Sequence, residues 1–394
     1  MTLKNIFLSD LHIGNNAETN WFQKETHLPI LKTILRYLVD ISSHVNDVVI
    51  LGDWFEQWNY RPDVHTPDIS EIIKRNPELF TKTDDGANFI DLIEAIKGKL
   101  RFVNGDHDML VELKDLNREF SKMTDKKVYP GHGCDFEKSS LANTFYFENG
   151  VWAEHGHQHD LFHKPAINEE NPCSPLPLGY FISRLFCHFL DKRMASMHRR
   201  DASCICGSIN SEFSNLSLHF NQFLTELMND LKRGKPIDAA GLIVDQLMQF
   251  HRSFHLDINV KTEGFGEIDS IDVAKFYPGL LTLENLPDGL FEAEVPYAGL
   301  GRFARKHFIE NPNTNVAIMG HTHLANYELC GSHKRRLYLN TGYLCPSIPD
   351  IESGDNYATF AEVSIVNGGG KKVVQKIVVK NTDYEIAEGA SSVI

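Results

Sequence analysis

Aspartate and histidine gather at five places in the chain, each directly behind a short apolar run: Asp10-Leu11-His12, Gly52-Asp53, Gly105-Asp106-His107-Asp108, His155-Gly156-His157 and Gly320-His321-Thr322-His323. Carboxylate oxygens and imidazole nitrogens without a thiolate are a donor set suited to Mn, Fe or Zn rather than Ca, with Mn the first choice. Asp10 and His12 stand two residues apart, so on an extended chain they face the same side. Asp53 follows a glycine that permits a sharp turn, and the two oxygens of its carboxylate suffice to bridge two ions. His321 and His323 repeat the two-residue spacing on a loop whose glycine lets the rings diverge toward different metals.

Such a set supports hydrolysis. Water shared by two divalent ions about 3.5–4 Å apart loses its proton far more readily than bulk water, and the resulting bridging hydroxide is a nucleophile. His107 adjoins the ligand Asp106 without being needed as a ligand, which predicts a general acid for the leaving oxygen. Asp108 then holds the His107 ring and sets its tautomer. His157 and His159 read equally as substrate contacts or as plain loop residues.

The runs that must position these groups are Ile6-Phe7-Leu8, Val48-Val49-Ile50-Leu51, Leu100-Arg101-Phe102-Val103, Val151-Trp152-Ala153 and Val316-Ala317-Ile318-Met319. Short runs rich in β-branched and aromatic residues predict buried strands. Polar groups at the carboxyl ends of such strands converge on one rim of the sheet.

In this order the five blocks resemble the calcineurin-like metallophosphoesterase superfamily, whose pattern is D-x-H, G-D-x-x-[DE], G-N-H-[DE], a His-Gly-His block and G-H-x-H. The resemblance runs from Leu8 to His323 and leaves a long stretch before the last block unmatched. It implies an α+β fold, a four-layer α/β/β/α sandwich with a helical cap insertion. It also implies one metal held by Asp10, His12, Asp53 and His323, and a second held by Asp53, Asp106, His155 and His321. The implied activity is hydrolysis of a phosphomonoester, phosphodiester or pyrophosphate bond in a small phosphorylated substrate, with two divalent transition-metal ions. Gly52-Asp53-Trp54-Phe55-Glu56-Gln57-Trp58 is similar to the G-D-x-F-E-x-W of bacterial UDP-2,3-diacylglucosamine hydrolases, and Tyr338-Leu339-Asn340-Thr341-Gly342 to a strand and turn in them. A pyrophosphatase acting on a lipid-linked nucleotide is therefore one alternative, and an inactive metal-binding scaffold another. Two departures stand out: Asp106 replaces the superfamily Asn, and His107 stands where the diacylglucosamine hydrolases carry Arg. The second restores the histidine of the wider superfamily, which favours a generic phosphoesterase. The first adds negative charge, which favours metal retention over Lewis acidity.

The 394 residues, 42% apolar and 23% charged, are enough for a globular core and an added module. Residues 1–164 and 303–380 are expected to form the two parts of the core, 165–302 the helical cap and 381–394 a tail. Within the cap, Phe181, Leu185, Phe189 and Met194 recur at helical spacing, as do Leu216, Phe220, Phe223, Leu224 and Leu227. Arg193, with Arg184, Lys192, Arg199 and Arg200, gives it a basic edge, read either as a contact for a diphosphate or an anionic membrane surface or as a solvated helix face. Ala358 to Val366 and Lys372 to Val379 flank a glycine-rich turn and predict a hairpin closing the sheet. The formal net charge of −14 disfavours broad nucleic-acid binding. Seven cysteines without a C-x-x-C pair read as reduced thiols, and no leader or bilayer-spanning run is seen, so the expected location is cytoplasmic.

Overall fold

The computed structural model describes residues 3–131, 144–160, 300–323, 325–330, 336–344, 358–368, 371–380 and 385–389, together with short pieces between 163 and 187 and the segments 259–262 and 266–269. The chain divides into two compact units, residues 1–57, 67–156 and 300–394 in the first, and 58–66 with 157–299 in the second.

All five apolar runs are strands. In chain order the first unit contains β1 (Leu3–Leu8), β2 (Val45–Leu51), β3 (Lys99–Val103), β4 (Val128–Pro130), β5 (Tyr146–Glu148) and β6 (Val151–Ala153). The second unit contributes β7 (Asn259–Thr262) and β8 (Gly266–Asp269), after which the first resumes with β9 (Val316–Met319), β10 (Ala325–Cys330), β11 (Arg336–Thr341), β12 (Phe360–Gly368), β13 (Lys371–Lys380) and β14 (Glu385–Gly389). One sheet has the order β14-β13-β12-β1-β2-β3-β4, the other β10-β11-β9-β6-β5. β1 through β4 run parallel, as do β6, β9 and β11. The carboxyl ends that carry the Asp and His blocks therefore lie on one edge of each sheet.

Side-chain alternation explains the layers. Ile6 and Leu8, Val48 and Ile50, and Leu100 and Phe102 face one way, into a core shared with the helices α1 (Lys24–Asp40), α2 (Ile69–Arg75), α3 (Pro77–Phe80), α4 (Phe89–Ala95) and α5 (Leu113–Phe120). Phe7, Val49, Leu51 and Val103 face the other way, where they meet Val151, Ala153, Val316, Ile318, Leu337 and Leu339 of the second sheet. The far side of that sheet, Trp152, Ala317, Met319 and Tyr338, is covered by Leu300, Ala304 and Phe308 of α6 (Leu300–Glu310), spaced one helical turn apart. The result is helix, sheet, sheet, helix, the expected α/β/β/α sandwich. Strands buried on both faces have no polar side to show, which is why their sequences are continuous apolar runs rather than alternating ones.

Two expectations need correction. Part of the segment taken as a tail forms β14, paired antiparallel with β13. An edge strand leaves a row of backbone donors and acceptors open, and a following segment of modest apolarity can complete it. Within the stretch read as wholly helical, β7 and β8 form a two-stranded hairpin. The hairpin between β12 and β13 is present as anticipated. Most of the helical spacing in 165–302 falls outside the described residues, including Arg193, Lys192, Arg199 and Arg200.

Taken by itself, the second unit is organised around Arg184. This residue is fully buried rather than part of a basic edge, and its guanidinium donates to the backbone oxygens of Arg61 at 2.8 Å, Lys261 at 3.1 Å, and Val64. Carbonyl dipoles rather than a carboxylate surround its Nη2, tying Trp58–Thr66 to the β7 strand. Trp58 stacks on His163 at 5.8 Å and meets Tyr180 edge-on at 5.9 Å.

Two tests probe the first unit. Phe80 is fully buried among Trp54, Phe55, Phe89 and Phe120, so Phe80→Ala should cost about 3–5 kcal/mol in denaturant unfolding. His27 on α1 accepts the Gln23 N–H at 2.8 Å, and burial pushes its ring down to about 4. The unfolded chain takes up a proton near pH 6.5 where the folded ring does not, so this group lowers stability as pH falls from about 6.5 toward 4. His27→Gln keeps an acceptor without titrating, and should flatten that part of the stability–pH curve.

Candidate metal centre

The loops behind β1, β2 and β9 hold their polar residues in an unusual backbone state. Asp10 (φ 55°), His12 (φ 49°), Asp53 (φ 51°), His321 (φ 69°) and His323 (φ 54°) all lie in the left-handed region. Each such non-glycine conformation costs on the order of 1–3 kcal/mol and persists only where the surroundings enforce it. The idea of Asp10 and His12 sharing one side of an extended chain is thus replaced by two left-handed residues beyond the end of the strand. The enforcement is visible in hydrogen bonds. The Asp10 N–H donates to Gly52 O at 3.2 Å, those of Leu11 and His12 both to Asp53 O at 2.8 Å, and that of Ile13 to Trp54 O at 3.0 Å. Asn340 Nδ2 donates to Gly320 O at 2.7 Å and Thr341 Oγ1 to Met319 O at 3.2 Å, fixing the start of the last loop.

Close approach requires glycine at two of these turns. A Cβ on Gly52 (φ 83°) would fall 2.3 Å from His155 Nδ1, and one on Gly105 would fall 2.1 Å from Asp53 Oδ1.

Asp108 has a different role from the one expected. Its Oδ2 accepts the N–H groups of Trp54 at 2.8 Å and Phe55 at 3.3 Å, and its Oδ1 accepts that of Gly105 at 2.7 Å. It pins the β2 loop to the β3 loop. The His107 ring is held instead by Glu56, whose Oε1 lies 2.9 Å from His107 Nδ1 and whose Oε2 lies 3.2 Å from His12 Nδ1. A buried carboxylate thus orients two imidazoles at once and leaves the Nε2 atom of each pointing onward. Glu56 was visible in the sequence only as a member of Gly52-Asp53-Trp54-Phe55-Glu56-Gln57-Trp58, three residues beyond Asp53.

The remaining donors converge. His323 Nε2 is 3.2 Å from His12 Nε2 and 3.3 Å from Asp10 Oδ1. Asp53 Oδ2 sits between two rings, 3.5 Å from His12 Nε2 and 3.3 Å from His155 Nε2. Asp106 Oδ1 lies 3.0 Å from His155 Nε2 and 3.3 Å from His321 Nδ1. All seven residues named as candidate ligands meet here: Asp10, His12, Asp53, Asp106, His155, His321 and His323. His157, the first residue of a short helical turn, and His159 belong to the second unit; Arg193 lies outside the described residues.

Charge dominates this cluster. Burial would raise the carboxyl of Glu56, but the His107 and His12 rings hold it well below the usual range. The same contact acts in reverse on His107. Burial favours its neutral ring, and the carboxylates of Glu56, Asp53 and Asp106 outweigh that, lifting it to about 9. His155 is likewise raised against burial by Asp53 and Asp10, whereas at His12 burial prevails and the ring is lowered. Burial together with the negative charge of Asp53 pushes Asp108 up to about 8.

Divalent ions suit the donors present. Asp10 Oδ1 is buried without a hydrogen bond, although the nitrogens of His12, His155 and His323 lie within 4.0 Å of it. Two imidazole nitrogens facing each other at 3.2 Å, as in His12 and His323, leave one lone pair unmatched unless a proton or a cation lies between them. Donors bound to one transition metal at about 2.0–2.2 Å sit at about this mutual spacing. The groups Asp10, His12 and His323, and Asp10, Asp53 and His155, each bring one donor atom within 4.8 Å of the others and could hold an ion.

No protein-family model and no curated protein matches the chain. Among solved structures it is similar to the calcineurin-like phosphoesterase YfkN of Bacillus subtilis, with 9% identity over 96% of this chain and 90% of that one, and a TM-score of 0.33.

The two buried carboxylates should separate by measurement. Glu56→Gln should weaken metal affinity about 10–100-fold by releasing the His12 ring, as losing an outer partner of a ligand does. Asp108→Ala should show first as a loss of stability of about 1–3 kcal/mol, since three buried N–H groups lose their acceptor. Metal titration beside denaturant unfolding checks both.

Proposed function

We propose that the chain is a metal-dependent phosphoric ester hydrolase of the calcineurin-like metallophosphoesterase superfamily. One observation carries the reading: seven Asp and His side chains from the ends of five strands converge with their donor atoms 3.0–4.0 Å apart around a buried Asp10 oxygen that no hydrogen bond satisfies. Asp10, His12, Asp53 and His323 would hold one divalent ion and Asp53, Asp106, His155 and His321 a second, with Asp53 common to both. Bound there, the ions would supply Lewis acidity toward a phosphoryl group and lower the pKa of a water.

The chain's own groups do the rest. Glu56 keeps the Nδ1 side of His107 occupied, so the proton available for transfer is on Nε2, which lies 3.8 Å from Asp106 Oδ2 at the edge of the donor cluster. Glu56, which is not assigned to either ion, favours the protonated His107 ring, the state a general acid needs when the leaving oxygen must gain a proton. Asp108 fixes the loop that carries His107, and the His107 N–H donates to Asp53 Oδ1 at 2.9 Å, so acid and shared ligand are held in one register. The extra charge of Asp106 favours firm metal retention.

With Mn added, the protein should release p-nitrophenol from the mono- or bis-ester of p-nitrophenyl phosphate, and the faster substrate identifies the bond type. His107→Ala should lower kcat about 10²–10⁴-fold on alkyl esters and much less on p-nitrophenyl esters, whose leaving group needs no proton. Equal losses on both would move His107 from acid catalysis to phosphate positioning, and no release from either ester with Mn, Fe or Zn would sink the hydrolase reading.

A further inference from the structure

The ring of Trp21 meets three site imidazoles. Its centroid lies 4.6 Å from that of His12, 5.1 Å from His107 and 5.4 Å from His323. These rings belong to two residues assigned above as metal ligands and to the assigned acid, so the indole flanks the place where a leaving group would depart. Its neighbours in sequence, Asn20 and Phe22, are buried, whereas Trp21 is only partly so. It rests against the helix-side core and keeps the remainder of its surface open. An amphipathic ring left in this state beside polar groups is suited to contact a second molecule.

The loop that carries Trp21 is fixed rather than slack. The Ala17 N–H is shared between Asn15 Oδ1 at 3.2 Å and Asn20 Oδ1 at 3.0 Å, and the Asn20 N–H returns to Ala17 O at 3.0 Å. Asn15 Nδ2 donates to Glu71 on α2 at 2.9 Å, Asn76 Nδ2 to Gly14 O at 2.7 Å, and the Gln23 amide to Asn20 O. Several polar side chains thus spend their hydrogen bonds on holding one segment, which gives the indole a set position. Across His323, Tyr343 stacks at 5.8 Å with ring planes 29° apart, so that imidazole has an aromatic neighbour on two sides.

We propose that Trp21 is a specificity-determining residue that stacks on a planar aromatic group carried by the substrate, making aryl or nucleoside phosphate esters the preferred class. This rests on the phosphoesterase reading above. Stacking on an indole is tolerant of the identity of the ring, so the contact selects planarity rather than a particular base. Simple alkyl phosphates would fill the phosphate end of the site and leave the indole uncovered.

Binding of phenylphosphonate and methylphosphonate, neither of which can be hydrolysed, tests this by calorimetry on the Mn-loaded protein. The parent should bind the phenyl compound about tenfold more tightly, the size of loss that a single ring stack carries. Trp21→Leu should erase that preference while still binding methylphosphonate, and Trp21→Phe should keep most of it. Equal affinity of the parent for both compounds overturns the proposal and leaves the phosphoesterase reading intact, and this arm needs no variant to fold. A preference that survives in Trp21→Leu overturns it as well. Binding of neither compound to the parent removes the phosphoesterase reading, and the role of Trp21 with it.

Discussion

Asp10, Asp53 and Asp106 lie buried within one cluster, and repulsion between buried carboxylates is the constraint around which the first unit is built. In a low-dielectric interior such groups stay ionised only if positive charge lies among them. The partners described for these three are imidazoles and backbone N–H groups, with no Lys or Arg. Neutralisation must then come either from protons on neighbouring imidazoles such as His155 or from cations between the carboxylates. The raised state of His155 and His107 is what the first solution looks like. Divalent ions are the second, and they release those protons.

Holding the carboxylates together demands a scaffold stiff enough to keep five non-glycine residues left-handed. The sandwich provides it through strands packed on both faces, so that the loop roots at Leu8, Leu51, Val103, Ala153 and Met319 cannot shift independently. Asp108 and the backbone bonds between Asp10–Ile13 and Gly52–Trp54 then join the loops themselves. Glu56 adds a further tie, since one carboxylate orients both a ligand ring and the assigned acid. On the proposed function, metal affinity and proton delivery would share that residue.

Much of this was legible in the amino-acid sequence because its signals are local. A strand buried on both sides must be an unbroken apolar run, so Val48 to Leu51 and Val316 to Met319 announce both their type and their layer. The donors follow these runs directly. What was not legible depends on contacts between distant segments. Asp108 adjoins His107 in sequence, yet its carboxylate turns back to Trp54 and Gly105, and Glu56 arrives from another loop to take the ring. The left-handed state of Asp10 and His12 is imposed by pairing with Gly52 and Asp53. Arg184 looked like one more surface cation until its carbonyl partners placed it in the interior of the second unit. β14 follows from the open edge of β13 more than from its own residues.

Elemental analysis coupled to chelation tests most directly whether cations, not protons, neutralise the buried carboxylates. Purified protein should carry about two transition-metal ions per chain, and stripping them with a chelator should lower the unfolding midpoint, with restoration on adding Mn. Asp53→Ala, which removes the shared donor, should retain neither ion firmly. A parent protein that carries no metal, takes up none from Mn, Fe or Zn, and unfolds at the same midpoint with and without chelator would contradict the account.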